Sequence, residues 1–476
     1  MEKISLKLKL GYGFGGVGKD MGYALVGSFL MFYCTEYLGV SSVFMGVLYF
    51  VARIWDAVND PMMGTIVDNT KIKFGRYRFW ILVGTLSNAI VIVLLFNPTL
   101  AAGIVSNKIY TSCYIAFLYI VWGMTYTMVD VPYWSFNANV TDDREQRNSV
   151  AVFPRIFSGL GNIMTQMLTI TAVSALSRHS TRIVDKSNGF FKWAVIVACI
   201  YIFTILVSVF SIKERNVAVN TNERTSFRKA FNILRKNDQL IWVIVSFVLI
   251  NLGMNCATGV AIYYFKYVWS NENLYSMFAA FIGGSMGLGL VIYPFVCKRF
   301  SRKGLFVFST VMPAAGFVLM FVISFFFKEY GFAFYAFSAT AILFCIGFGF
   351  LNVLLTVIIA DCVDYDEWIR GRRNESVVFS MQTFLVKFAT ALSGLITGIG
   401  LKLGGYTGNS FASGTVQMAA IPASLNVALN IMMFALPPIF FLSACLILVK
   451  KFKLFDNKFM EKIVNEIVLK RKGGEQ

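Results

Sequence analysis

Apolar runs, each close to the roughly twenty residues that a helix needs to cross a bilayer, recur along almost the whole chain. They lie near residues 10–38, 41–67, 79–97, 108–137, 149–176, 189–212, 238–268, 275–297, 304–327, 331–362, 374–404 and 421–449. In lipid a spanning segment must satisfy its own backbone hydrogen bonds, so such runs fold as helices. With 57% hydrophobic residues and only 14% charged, a water-soluble globule of 476 residues is excluded. The expected fold is an all-α integral membrane protein of twelve transmembrane helices in two six-helix halves. Residues 1–212 and 238–449 are the halves, 213–237 a polar, basic connector and 450–476 a tail.

The net charge of +18 is concentrated in alternate loops: Lys71, Lys73, Arg76 and Arg78, the stretch 213–237, Lys298 to Lys303, Arg370 to Arg373, and the tail. Lys and Arg accumulate on the cytoplasmic side of membrane proteins, so both termini are expected there. The loop 178–192, with four basic residues, is the exception. In a membrane chain such a charge is no sign of a nucleic-acid partner. Met1–Leu10 is short and basic, lacks a small-residue cleavage site and is not expected to be a leader. The single histidine, His179, lies in a polar loop, and the eight cysteines include no CxxC pair. That leaves no histidine relay, disulfide framework, cofactor motif or nucleophile–base pair, and no enzyme is expected.

The ionisable residues inside the spans carry the functional signal, because charge in hydrocarbon is costly and faces a partner, an ion or a substrate. The second span holds Arg53, Asp56 and Asp60 at i, i+3 and i+7, one helical face, with Asn59 beside them. Carboxylate and amide oxygens at that spacing suit Na⁺, Li⁺ or a proton. The alternative is a structural salt-bridge face between helices. The fourth span carries Tyr126, Thr127, Asp130 and Trp134. Asp130 and Trp134 are one turn apart. A carboxylate can accept hydrogen bonds from vicinal hydroxyls, while an indole stacks on the C–H face of a pyranose. The alternative for Trp134 is an interfacial belt residue. The fifth span has Arg155 after Pro154, and the eleventh has Lys387 one turn after Thr383. The first span has Lys19-Asp20 at the end of a glycine-rich run, Gly11 to Gly18, which no strand precedes and which reads as a close helix contact.

The stretches GYGFGGVGKD (11–20), VARIWDAVNDPMMG (51–64), WGMTYTMVDVPYWS (122–135), Pro154-Arg155 and ADCVDYDE (360–367), running on to Arg373, Glu375, Thr383 and Lys387, resemble the glycoside–pentoside–hexuronide:cation symporter family, most closely the melibiose permeases. The resemblance covers about residues 8 to 450. It implies the major facilitator fold, with substrate and coupling ion at mid-membrane. It also implies a cation site of Asp56, Asn59, Asp60 and Thr127, and a galactosyl site of Lys19, Asp20, Asp130, Trp134 and Arg155. Lys387 would link the two. Asn352 stands where melibiose permeases carry an aromatic residue, which leaves the exact glycoside open.

The expectation is a secondary active importer of a small glycoside driven by Na⁺, Li⁺ or H⁺; the alternatives are a non-transporting sugar sensor on the same fold and a symporter for a pentoside or hexuronide. Tyr126, Asn352 and Thr383 would add to the sugar site, and Arg53 and Lys387 would couple it to the ion. A charged cluster, Asp361, Asp364, Glu367, Arg373 and Glu375, is either a solvated loop or an inner gate that pairs with Arg144, Arg147 or the loop 71–78.

Overall fold

A computed structural model describes residues 4–102, 108–140, 144–178, 180, 182–212, 214, 237–297, 299–326, 332–370, 375–406 and 422–473. The expected connector 213–237 lies almost wholly outside the described residues. The helices are α1 (Leu6–Ala24), α2 (Leu30–Glu36), α3 (Ser42–Asn69), α4 (Arg76–Leu95), α5 (Pro98–Ala102), α6 (Lys108–Asn139), α7 (Arg144–Leu176), α8 (Ile183–Ser211), α9 (Asp238–Tyr267), α10 (Asn273–Val296), α11 (Arg302–Phe326), α12 (Phe332–Arg370), α13 (Glu375–Leu403), α14 (Ala423–Asn430), α15 (Leu436–Lys451) and α16 (Asn457–Gly473). One π-helical turn, Leu25–Phe29, joins α1 to α2, and another, Ile431–Ala435, joins α14 to α15.

Among the described residues nine helices are long and apolar enough to cross a membrane. Helix α3 is not one of them, although it has 28 residues. Arg53, Asp56, Asn59 and Asp60 interrupt its apolar sequence, and all but Asp60 are buried. Their cost is therefore met by neighbouring helices, not by lipid. The loop after the helix leads into α4 through Gly75, whose φ of +106° only glycine adopts without strain.

The chain forms two compact units. The first holds residues 1–220, 262–280 and 398–426. In it α1 packs on α7 and α8, α4 on α6 and α8, and α3 on α6. The glycine-rich run makes the α1 contacts possible. A Cβ on Gly18 would sit 2.6 Å from Tyr201 Cα, and one on Gly16 would sit 2.9 Å from the Pro154 carbonyl oxygen. The second unit holds residues 221–261, 281–397 and 427–476. There α11 packs on α12 and α15, and the tail helix α16 packs on α12. Met460, Ile463 and Ile467 of α16 are buried, at helical spacing.

Candidate functional site

The charged residues that the sequence singles out in the first unit form two polar clusters. The first is built around Lys19, which is 2% exposed. Its ammonium donates to Asp130 Oδ1 at 2.7 Å and to Tyr126 OH at 3.0 Å, and lies 2.9 Å from Asp20 Oδ1. An ammonium has three protons, and here each has an oxygen. Trp134 Nε1 donates to the same Asp130 oxygen at 2.9 Å. The Tyr126, Tyr133 and Trp134 rings surround the ammonium at 5.3–5.6 Å. One cation facing two carboxylates leaves the cluster acidic, with acceptor capacity beyond the lysine.

The helices that carry this cluster are fastened independently of it. Tyr12 OH donates to the Tyr133 carbonyl at 2.5 Å, and Tyr133 OH donates to the Tyr12 carbonyl at 2.7 Å. This reciprocal pair sets the register of α1 against α6. It thereby places Lys19 opposite Asp130.

The second cluster lies between α3 and α6. Arg53 Nη1 donates to Asp56 Oδ2 at 2.8 Å, and both residues are buried. Thr127 Oγ1 donates to Asp60 Oδ1 at 2.9 Å. A Cβ on Gly123 would lie 3.2 Å from Asp56 Oδ1. Asp56 and Asp60 are thus one turn apart on α3, facing Gly123 and Thr127, one turn apart on α6. The Asn59 side chain is buried here, and among the described residues its Nδ2 has no hydrogen-bond partner. Among the described residues no group of three or more His, Cys, Asp or Glu side chains converges as a metal site.

Tyr23 joins the clusters, and the sequence reading missed it. Its hydroxyl accepts from Arg53 Nη2 at 3.2 Å, and its ring lies 4.9 Å from the Tyr126 ring and 5.8 Å from that of Trp122. The available signal was spacing: Tyr23 follows Lys19 by four residues on α1, on the same face.

The remaining expected residues are placed as follows. Arg155 is exposed on α7, and no described hydrogen bond or ion pair joins it to the Lys19 cluster. Asn352 and Lys387 belong to the second unit. Asn352 is exposed and donates to the Phe348 carbonyl at 2.9 Å, while Lys387 is half-buried. The side chains of Arg144, Arg147, Arg373, Glu375 and Thr383 lie outside the described residues. Of the charged cluster, Asp361 pairs with Arg302 at 2.7 Å, a partner the sequence reading did not name, and Asp364 and Glu367 are half-buried.

Residues 11–455 match the family described as MFS/sugar transport protein. The chain is 27% identical over 473 residues to the raffinose carrier protein of Pediococcus pentosaceus, covering 96% of this chain and 71% of that one. It is 28% identical over 407 residues to the isoprimeverose transporter of Lactiplantibacillus pentosus, covering 84% and 81%. A lactose permease of Lactobacillus helveticus is 26% identical over 466 residues, covering 91% and 70%. Among solved structures, a bacterial homologue of the human lysosomal transporter Spinster, inward-facing and unoccupied, superposes with a TM-score of 0.65 at 14% identity, covering 94% and 96%. A D-xylose-proton symporter superposes with a TM-score of 0.57 at 12% identity, covering 94% and 97%. These two likenesses show the fold, that of the major facilitator transporters. The chain is a multi-pass membrane protein that belongs to the MFS sugar transport family, the glycoside–pentoside–hexuronide symporters.

Proposed function

We propose that this protein imports a glycoside together with Na⁺, Li⁺ or a proton, by alternating access between two six-helix halves whose termini are cytoplasmic. The observation that carries the reading is the Lys19–Asp130–Trp134 group. It presents a carboxylate, an ammonium and an indole in one place, the set that binds hydroxyls and stacks on a pyranose ring. The names of the relatives, a raffinose carrier, an isoprimeverose transporter and a lactose permease, support a glycoside as the substrate class. A galactoside of the melibiose kind is the first sugar to test.

The cation is assigned to Asp56, Asn59, Asp60 and Thr127. A proton needs one carboxylate; a metal ion needs several oxygens at once. The buried Asn59 amide supports the metal-ion reading, because a buried polar group without a partner calls for an explanation. Turning that amide over would present its oxygen in place of its nitrogen. A cation arriving between Asp56 and Asp60 competes with Arg53 for Asp56, and Arg53 already touches Tyr23. Ion binding is thereby passed toward Tyr126 and Asp130. Such coupling is reciprocal: sugar must tighten the cation by the factor by which the cation tightens sugar.

The test is uptake of a panel of labelled glycosides into right-side-out vesicles, with and without Na⁺, at two pH values. At least one glycoside should enter faster with Na⁺ or Li⁺ at neutral pH, and that stimulation should fade on acidification as protons compete for the carboxylates. Uptake of none of them would remove the proposal.

A further inference from the structure

Glu36 closes α2 and is 4% exposed, yet none of the site chemistry above uses it. Its carboxylate is gripped by three donors from far along the chain. Lys266 donates to Oε2, and Tyr267 and Tyr406 donate to Oε1, the last at 2.6 Å. Lys266 is itself held over the rings of Phe32, Tyr37 and Tyr267 at 5.2, 5.5 and 5.6 Å. Burial, with the Glu36 carboxylate next to it, keeps the Tyr406 phenol well above its ordinary range, so it remains a donor. The hydroxyls of Thr35 and Tyr263 lie 2.8 Å apart.

Further contacts in the same unit tie the same segments down. Lys186 pairs with Glu272. Gln166 donates to Ser28 Oγ at 2.6 Å and accepts from Tyr275 OH at 2.6 Å. Ser42 Oγ donates to the Gly398 carbonyl at 2.9 Å. Ser42 begins α3 and Asn69 ends it, so the Ser42 contact lies about 42 Å along that helix from the basic loop 70–75, at 1.5 Å per residue.

We propose that Glu36 and Lys266 are a positioning pair, a latch that holds the outer end of the transporter shut and must release once per transport cycle. The inference rests on the transport reading for the meaning of "outer" and "cycle". Helix α9 supplies Lys266 and Tyr267, and Tyr406 follows the end of α13 by three residues; both helices leave the first unit partway along, at Ala261–Ile262 and Thr397–Gly398. The ends that hold Glu36 thus belong to helices whose other ends are packed elsewhere, which is where a two-state rearrangement can be held or released. A buried ion pair suits this role. Removing one partner strands the other charge, whereas separating both into water leaves each hydrated.

The test reads conformation, not transport. Spin labels are placed by Ser41→Cys and Leu403→Cys, both exposed positions of the first unit, after Cys113, Cys199 and Cys297 are replaced by serine. Distances are measured by pulsed electron resonance in lipid nanodiscs without sugar or added Na⁺. The parent should show mostly one short distance. Glu36→Gln should raise the ratio of long to short distances by about tenfold or more. Lys266→Gln, at a less buried position, should do the same if the first variant folds poorly. The exchanged pair Glu36→Lys with Lys266→Glu should bring the short distance back. Unchanged distances in both single variants, or failure of the exchange to restore the short one, would overturn the latch. Because no substrate is involved, that result leaves the transport reading standing, and absence of glycoside uptake by the parent leaves the distances to be read on their own.

Discussion

At the residue scale the account turns on Asp130. One of its oxygens takes hydrogen bonds from Lys19 and Trp134, so Asp130→Asn both weakens the proposed sugar acceptor and leaves Lys19 with Asp20 as its carboxylate partner among the described residues. Hydrogen bonds to a charged group are worth about 1.5–3 kcal/mol, so sugar affinity should fall about ten- to hundredfold, read by equilibrium binding to the purified protein. Tyr23→Phe is the complementary change. It keeps the ring against Tyr126 but removes the oxygen that Arg53 reaches. Sugar binding without Na⁺ should stay within a few-fold of the parent, while the gain in affinity on adding Na⁺ should shrink. An unaltered Na⁺ effect would show that coupling does not run through Tyr23. Asp56, Asp60 and Asp130 were legible in the sequence because charge inside an apolar run is conspicuous. Tyr23 and Glu36 were not. A tyrosine in a span costs little and draws no notice, and Glu36 stands at the end of its span, where a carboxylate looks solvated.

At the scale of elements, most helix positions were legible within a few residues, but α8 starts six residues before the expected 189 and α12 runs eight residues past the expected 362. The run expected at 41–67 is α3, Ser42–Asn69, and that at 374–404 is α13, Glu375–Leu403. The π-helical turn in the first span was not legible, because its sequence is as apolar as its flanks. Neither was α16, whose buried Met460, Ile463 and Ile467 are too sparse to form an apolar run. The glycine-rich segment was read as a close helix contact, and the packing of α1 on α8 gives the reason position by position. Gly18→Val places side-chain carbons where Tyr201 Cα and Thr204 already stand. Overpacking of this kind costs about 1–3 kcal/mol, and a larger side chain here cannot turn away from both neighbours. The thermal midpoint in detergent should drop by several degrees; a midpoint equal to the parent's would mean that α1 and α8 can part without penalty.

For the whole molecule the central claim is that a cation gradient drives a glycoside uphill through this chain. Partner choices across the chain were the part least visible in sequence. Arg302 for Asp361, or Lys266 for Glu36, follows from how helices pair in space, and periodicity within one helix carries no information about that. The decisive measurement is accumulation of the best glycoside from the vesicle panel against its own gradient, with Na⁺, Li⁺ or proton gradients imposed one at a time. The parent should concentrate the sugar above equilibrium under an inward Na⁺ or Li⁺ gradient and lose it when that gradient is collapsed. Asp60→Cys should bind or exchange the sugar without accumulating it. Uptake that reaches equilibrium and never exceeds it, under every imposed gradient, would contradict the account.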